Sequence, residues 1–178
     1  MIPKQSFVPL NKTLHDRSSF DCGENELNNF LQTRALKHMK MGISKTMVLS
    51  NNLSSSETII PIRSFYTLAA TSIDPHKFPG EIAKKLPYYP TPVFSIAQLA
   101  VSKDYHRHKL GTLTLVQALK HLLRINQEMP AFGVIVDCLN ENLEAFYTHF
   151  GFKVLYQHNA RIRMFLPMKT LEQLLSHE

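Results

Sequence analysis

Cysteine is scarce in this chain, glycine-rich phosphate signatures are missing, and no apolar run is long. Only Cys22 and Cys138 are present, in unlike local contexts. That excludes a disulfide framework or a zinc knuckle and leaves both as reduced thiols. The opening MIPKQSFVPLNK lacks the apolar stretch of a secretory signal, and nothing later approaches the roughly 18 apolar residues of a membrane helix. A cytoplasmic protein, with no membrane partner, is the expectation. Neither GxGxxG nor the Walker A pattern occurs, so Rossmann and P-loop readings lose their main support. No internal repeat is visible, and the only low-complexity stretch, NNLSSS at 51–56, reads as a turn between strands.

What is there fits one domain spanning 1–178, with 44% hydrophobic residues to build a core. Twenty Lys and Arg against fourteen Asp and Glu give a formal charge of +6, which favours polyanionic partners such as coenzyme phosphates or nucleic acid. The basic residues gather as Arg34, Lys37, Lys40 and Lys45, then Lys84 and Lys85, then Arg107 and Lys109, then Arg161 and Arg163. Taken alone, each cluster reads more readily as a solvated face.

Leu27, Phe30, Leu31 and Leu36 recur at near-helical spacing, predicting a helix over about 24–39 that Gly42 ends. Residues 44–50 and 63–73 are rich in β-branched and aromatic side chains, as half-buried strands are, with a further short strand around Ile59. Five prolines between Asp74 and Pro92 predict a loop holding at most a short helix at 80–85. VFSIAQLAV (93–101) reads as a buried central strand, followed by a basic turn and a helix whose apolar face is Leu110, Leu113, Val116, Leu119, Leu122 and Leu123. GVIVDCL (133–139) is a second buried strand. A helix over about 141–150 follows, capped by Asn140 and stopped by Gly151, then strands at 152–156 and 161–166 and an amphipathic tail.

Two segments carry chemistry. In AQLAVSKDYHRHKLGTLTL a buried strand passes through a cationic turn into a helix start, where unpaired N–H groups and the helix dipole favour a pyrophosphate, with Arg107, His108 and Lys109 adding cations. The plain alternative is a surface turn capping a helix. The second segment, Asn140-Glu141-Asn142-Leu143-Glu144-Ala145-Phe146-Tyr147 followed by Phe150-Gly151-Phe152, resembles the C-terminal motif of the GNAT acetyltransferases. The turn at 106–111 occupies that family's acetyl-CoA motif.

The resemblance extends over most of the chain and is nearest to the GNAT toxins of bacterial toxin–antitoxin pairs. FDCGENELNNFLQTRALKHMKMGISKTMVL, FYTLAATSI, IAQLAV and FYTHFGF all support it. It implies an α/β (α+β) GNAT fold, with a mixed, mostly antiparallel central sheet flanked by helices. It implies acetyl transfer from acetyl-CoA to the amino group of aminoacyl-tRNA, blocking translation. Tyr147 falls on the catalytic tyrosine. Leu99, Ala100 and Val101 fall on the strand that pairs with the pantetheine arm. Arg107, His108, Lys109, Leu110, Gly111 and Thr112 form the pyrophosphate loop, and Asn140 and Phe146 complete the cofactor set. A homodimer and a small antitoxin with a ribbon-helix-helix part are implied partners. One departure stands out: Lys109 replaces the loop's first glycine, so its side chain either crowds the cofactor or reaches the pyrophosphate.

A tyrosine hydroxyl, protonated at neutral pH with a reference value near ~10, suits a general acid for a leaving thiolate. The alternative for Tyr147 is a packed core aromatic. The strand 93–101 contains no Asp or Glu to deprotonate an amine. That disfavours a lysine ε-amine at about 10.4 and favours an α-amine at ~8 or below, unless folding supplies a loop carboxylate such as Glu81 or Asp104 as the base. Arg34, Lys37, Lys40, Lys45, Lys84 and Lys85 are the candidates for tRNA backbone contact. His106 and His108 lack a clear third ligand and read as surface histidines, so no metal is expected; Cys138 reads as a small core residue. Competing functions are a GNAT enzyme acting on a small-molecule or protein amine, and a non-catalytic GNAT domain that binds RNA or protein.

Overall fold

The computed structural model describes residues 6–51 and 58–176, so all of the NNLSSS turn after Asn51 falls outside the described residues. The chain divides into two compact units: the first runs through Ala69 and adds Gln98–Ala118, and the second combines Ala70–Ala97 with the chain from Leu119 onward.

In the first unit, short strands β1 (Val8–Pro9) and β2 (His15–Asp16) precede α1 (Asn25–Asn29), a π-helical turn at Phe30–Arg34, and α2 (Ala35–Met41). The predicted helix is therefore interrupted. Leu27, Leu31, Ala35 and Met39 all pack in one apolar cluster and recur every fourth residue. That spacing drifts around an α-helix, and the wider π turn takes up the drift. Gly42, at φ 73°, closes α2 as expected, with its N–H and that of Ile43 returned to Met39 and His38. β3 (Lys45–Ser50) pairs antiparallel with β1 and with β4 (Ile60–Ile73), whose first residues lie parallel to β2. No separate strand surrounds Ile59; it is exposed just ahead of β4, which runs unbroken because Ile60, Ile62, Ser64, Tyr66 and Leu68 alternate as one buried face. Phe20, Phe30, Leu31, Val48, Phe65 and Ala100 form this unit's core.

In the second unit a 3-10 turn at Pro75–Lys77 leads to α3 (Gly80–Ala83). α3 ends before the expected Lys85, because the following N–H groups make tight three-residue bonds, Lys85 to Ile82 and Leu86 to Ala83, as the chain approaches Pro87. β5 (Thr91–Val101) starts earlier than predicted and ends in the first unit; α4 (Leu110–Glu128) begins there and ends in the second. β6 (Gly133–Cys138), α5 (Glu141–His149), β7 (Lys153–His158), β8 (Arg161–Pro167) and α6 (Met168–Leu175) complete the chain. Ile73, Phe78, Val93, Ile135 and Phe165 make this unit's core.

The strand order is β1-β3-β4-β5-β6-β8-β7, with β2 beside β4. Pairing is antiparallel at β1–β3, β3–β4, β6–β8 and β7–β8 and parallel at β5–β6, which is the mixed, mostly antiparallel sheet expected. The β5–β6 ladder holds only Phe94↔Val134 and Ser95↔Ile135, although both strands run on beyond those pairs.

Candidate active site

After β5, a 3-10 turn at Lys103–Tyr105 brings the chain to the start of α4. Two residues of the intervening turn, Arg107 at φ 67° and Lys109 at φ 55°, take the left-handed conformation. Each costs on the order of 1 kcal/mol in a non-glycine residue, and such strain collects where function requires a set backbone. Left-handed residues alternating with ordinary ones gather N–H groups into an anion-binding concavity. None of the N–H groups from Arg107 to Thr112 is donated to a described residue. Lys109 thus fills the glycine position with the glycine conformation, its side chain exposed.

Side chains brace this turn. His106 Nε2 lies 2.8 Å from the Val101 carbonyl oxygen and, as the N–H, donates to it. Thr114 Oγ1 donates to the Leu110 carbonyl and lies 2.9 Å from Ser64 Oγ, tying the first turn of α4 to β4. Upstream, the Asp21 carboxylate accepts from the Gly23 N–H, Asn28 Nδ2 and Lys103 Nζ, while the Lys103 N–H donates to the Asp21 carbonyl. These bonds, the Gly23 N–H foremost, hold the Asp21 carboxyl down at about 2. Of the sequence-predicted residues here, Ala100 and Leu110 are buried, so a ligand meets their backbone only. Leu99, Val101 and Gly111 are half-buried, and Arg107, His108 and Thr112 are exposed. A Cβ on Gly111 would lie 4.0 Å from Val101 Cγ2, in ordinary contact.

In the second unit, Asn140 caps α5: its Oδ1 accepts from the Leu143 N–H at 3.0 Å. Phe150, Phe146, Tyr147 and Phe152 form an aromatic chain in that order, with successive ring centroids 5.3, 5.2 and 5.4 Å apart. Tyr147 is 7% exposed, and its hydroxyl bonds to no described residue. Burial pushes that hydroxyl above the usual tyrosine range, with Cys138 adding to the shift. Cys138 is fully buried, its thiol 3.5 Å from Met164 Sδ and pushed up to about 11, chiefly by burial. It is a neutral core side chain and no nucleophile.

The predicted cofactor residues therefore fall in both units: 99–101 and 107–112 in the first, Asn140, Phe146 and Tyr147 in the second. The tRNA candidates divide likewise, Arg34, Lys37, Lys40 and Lys45 in the first and Lys84 and Lys85 in the second, all exposed. Sequence reasoning missed the left-handed backbone at Arg107 and Lys109, which no glycine announced, and the Asp21 to Lys103 brace, which joins residues far apart in the chain. It also described Arg163 as part of a solvated face, whereas Arg163 is part-buried and forked onto Asp137. Among the described residues no group of three or more His, Cys, Asp and Glu is placed to hold a metal ion, and no helix is long and apolar enough to cross a membrane.

The architecture is that of the GNAT acyltransferases. No family model matches the chain. It is similar to a tRNA-acetylating toxin of Mycobacterium tuberculosis, 28% identical over 139 residues that cover 78% of this chain and 79% of the relative. It is also similar to a probable toxin TacT of Sinorhizobium fredii, 25% identical over 97% of this chain and 96% of the relative. Among solved structures, AtaT complexed with acetyl-methionyl-tRNA shares 26% identity at a TM-score of 0.82, covering 96% of this chain and 98% of AtaT. AtaTR bound with acetyl-CoA shares 26% identity at 0.81, with 96% and 97% coverage. A mutant of the toxin KacT shares 27% at 0.80, covering 90% and 92%. Within that architecture, then, the chain is similar to proteins named as toxins, among them one that acetylates tRNA.

Proposed function

We propose that residues 1–178 form one catalytic domain, an acetyl-CoA-dependent N-acetyltransferase that acts as a toxin by acetylating the amino group of aminoacyl-tRNA. The observation that carries the reading is the row of undonated N–H groups from Arg107 to Thr112, set by two left-handed residues at a helix start. It is a donor set that suits a pyrophosphate, and the acetyl-CoA and acetylated-tRNA complexes of the similar AtaT supply the chemistry to go with it. β4, β5 and α4 each pass through both units, which supports a single domain.

Acetyl-CoA, when bound, supplies an acetyl thioester. The N–H groups of 107–112 hold its diphosphate and the Arg107 and Lys109 cations neutralise it, while the backbone of Leu99, Ala100 and Val101 aligns the pantetheine arm. Asn140 keeps α5 in register through its cap, and Phe146 packs beside Tyr147. Tyr147 holds its proton firmly and delivers it from Oη to the departing sulfur. The attacking α-amine gives its proton to water, since strand 93–101 offers no carboxylate. Activity therefore rises with pH through the amine's own titration near ~8 or below, with no loss from Tyr147 ionisation in that window.

Arg34, Lys37, Lys40, Lys45, Lys84 and Lys85 serve the tRNA backbone in this scheme. A mutant of AtaT is solved bound to the C-terminus of the antitoxin AtaR, and KacTA is solved as a complex with DNA. By that analogy this chain is a cytoplasmic homodimer neutralised by an antitoxin with a ribbon-helix-helix part. The test is transfer of labelled acetyl from acetyl-CoA to a pool of charged tRNAs. Tyr147→Phe is expected to lower kcat by about 10²-fold or more with little change in acetyl-CoA affinity. Wild type that binds acetyl-CoA but labels no aminoacyl group would redirect the substrate to other amines.

A further inference from the structure

Two tyrosines stand out on the surface of the second unit. Tyr88 is 97% exposed and Tyr89 68%, the most and joint second most exposed of the large apolar side chains in the described chain. A ring left wholly in water forgoes the burial that ordinarily places tyrosine. Neither ring stacks on another aromatic nor takes a hydrogen bond from a described residue. The surrounding sequence is Lys84-Lys85-Leu86-Pro87-Tyr88-Tyr89-Pro90-Thr91-Pro92. Proline on each side of the pair fixes its own φ, and the chain bends at Tyr88 and Tyr89, so part of the conformational entropy is already lost before a partner binds. Leu86 anchors the segment against the Phe78 and Phe165 cluster, and β5 begins at Thr91. The rings are thus presented by a stiff loop fastened at both ends.

Charge identifies the partner. Both lysines are exposed and neither is ion-paired to a described residue; Glu81, exposed at the start of α3, is the one acid within residues 79–92. Flat, exposed rings next to unpaired cations on a preorganised loop are the elements of a stacking platform for single-stranded nucleic acid: bases lie on the rings and phosphates meet the ammonium groups. A protein-docking patch would more commonly show a continuous apolar surface, whereas here two exposed lysines lie three and four residues ahead of the first ring. Resting on the aminoacyl-tRNA reading above, we infer that Tyr88 and Tyr89 stack on unpaired bases of the acceptor end of the tRNA, with Lys84 and Lys85 on its backbone. Sequence-tolerant stacking would hold the single-stranded end without selecting the tRNA by base identity.

The experiment measures binding of two probes, an intact tRNA and the same tRNA with its unpaired 3′ nucleotides removed. Each is titrated against wild type, a Tyr88→Ala/Tyr89→Ala double variant and a Tyr88→Phe/Tyr89→Phe double variant. Wild type should bind the trimmed tRNA at least about ten-fold more weakly than the intact one. The alanine variant should bind both equally and weakly, and the phenylalanine variant should match wild type, because stacking needs only the ring. The rings are exposed, so an unchanged Tm in the alanine variant keeps folding out of the comparison. Alanine-variant binding equal to wild type on intact tRNA overturns the inference; if that variant instead loses self-association, the rings belong to a protein interface. A wild type that binds no tRNA overturns the substrate reading and this inference together.

Discussion

Asp137 and Arg163 sit directly opposite each other on β6 and β8, and the guanidinium closes on the carboxylate through two bonds of 2.8 Å, from Nε and from Nη2. Tyr156 accepts from Nη1 at 3.2 Å on the other side, and together these partners hold Arg163 charged well above the usual range. The side chains are only 14% and 30% exposed. Removing Asp137 therefore leaves a cation without its partner in a half-dry site. Asp137→Ala should lose about 2 kcal/mol, between a surface pair and a buried one. Asp137→Leu combined with Arg163→Met should lose less than Asp137→Ala alone, as measured by urea unfolding.

The loop at 106–111 yields a prediction that separates backbone from side chain. Lys109→Gly removes left-handed strain of about 1 kcal/mol but adds freedom to the unfolded chain, so stability should stay level or rise slightly. Lys109→Val, β-branched at φ 55°, should destabilise by about 1–2 kcal/mol. Gly111→Ala meets only Val101 Cγ2, at an ordinary 4.0 Å, with an ordinary φ at a helix start, and should stabilise by about 0.5–1 kcal/mol. Thermal unfolding of the set decides it. A stabilising valine would show that the backbone at 109 is not left-handed.

Gly133 opens β6 where no larger residue fits. A Cβ there would overlap Phe165 Cε2 and come within 2.5 Å of the Leu166 carbonyl oxygen. Since Phe165 is in the core and the carbonyl is backbone, neither can move cheaply. Gly133→Ala should cost about 3 kcal/mol or more and appear as lost soluble yield or a sharply lowered urea midpoint.

Alkaline stability follows from Cys138. Its thiol is pushed up to about 11 in the folded chain against an ordinary value of 9.0. The stabilising difference is complete below the unfolded value and is lost as pH rises towards the folded one, because the unfolded state then sheds its proton first. Unfolding free energy should drop by about 2 kcal/mol between pH 8 and 10.5 from this group, and Cys138→Ala should remove that part of the slope. Tyr147, raised in the same way, contributes only beyond the ordinary tyrosine value.

Local signals carried far into the structure. Asn140 with its N-cap bond, Gly42 in its left-handed terminus and the apolar strands at 93–101 and 133–138 were all readable because each depends on neighbours in sequence. Tyr147 was singled out through the flanking Asn and Phe-Gly-Phe pattern, while the lack of a protein partner for its hydroxyl was not readable, since that depends on everything packed around it. The π turn hid in a four-residue apolar repeat that also passes for an ordinary helix. Left-handed Arg107 and Lys109 were illegible because side-chain identity argues against that conformation; only bracing by His106, Thr114 and the Asp21 to Lys103 pair makes it tolerable. Of those braces, the Asp21 to Lys103 pair and the bond from Thr114 to Ser64 join segments far apart in the chain.

The threading of β4, β5 and α4 through both units bears on how the chain comes off the ribosome. The first unit needs Gln98–Ala118, which is synthesised only after Ala70–Ala97 of the second has emerged, and the second waits for β8 and α6. Domains otherwise tend to fold in order from the N-terminus as they emerge. Here neither half can complete its core early, so a nascent or prematurely terminated chain carries two unfinished cores. On the proposed reading, in which translation is the target, that order of assembly postpones activity until the polypeptide is nearly whole.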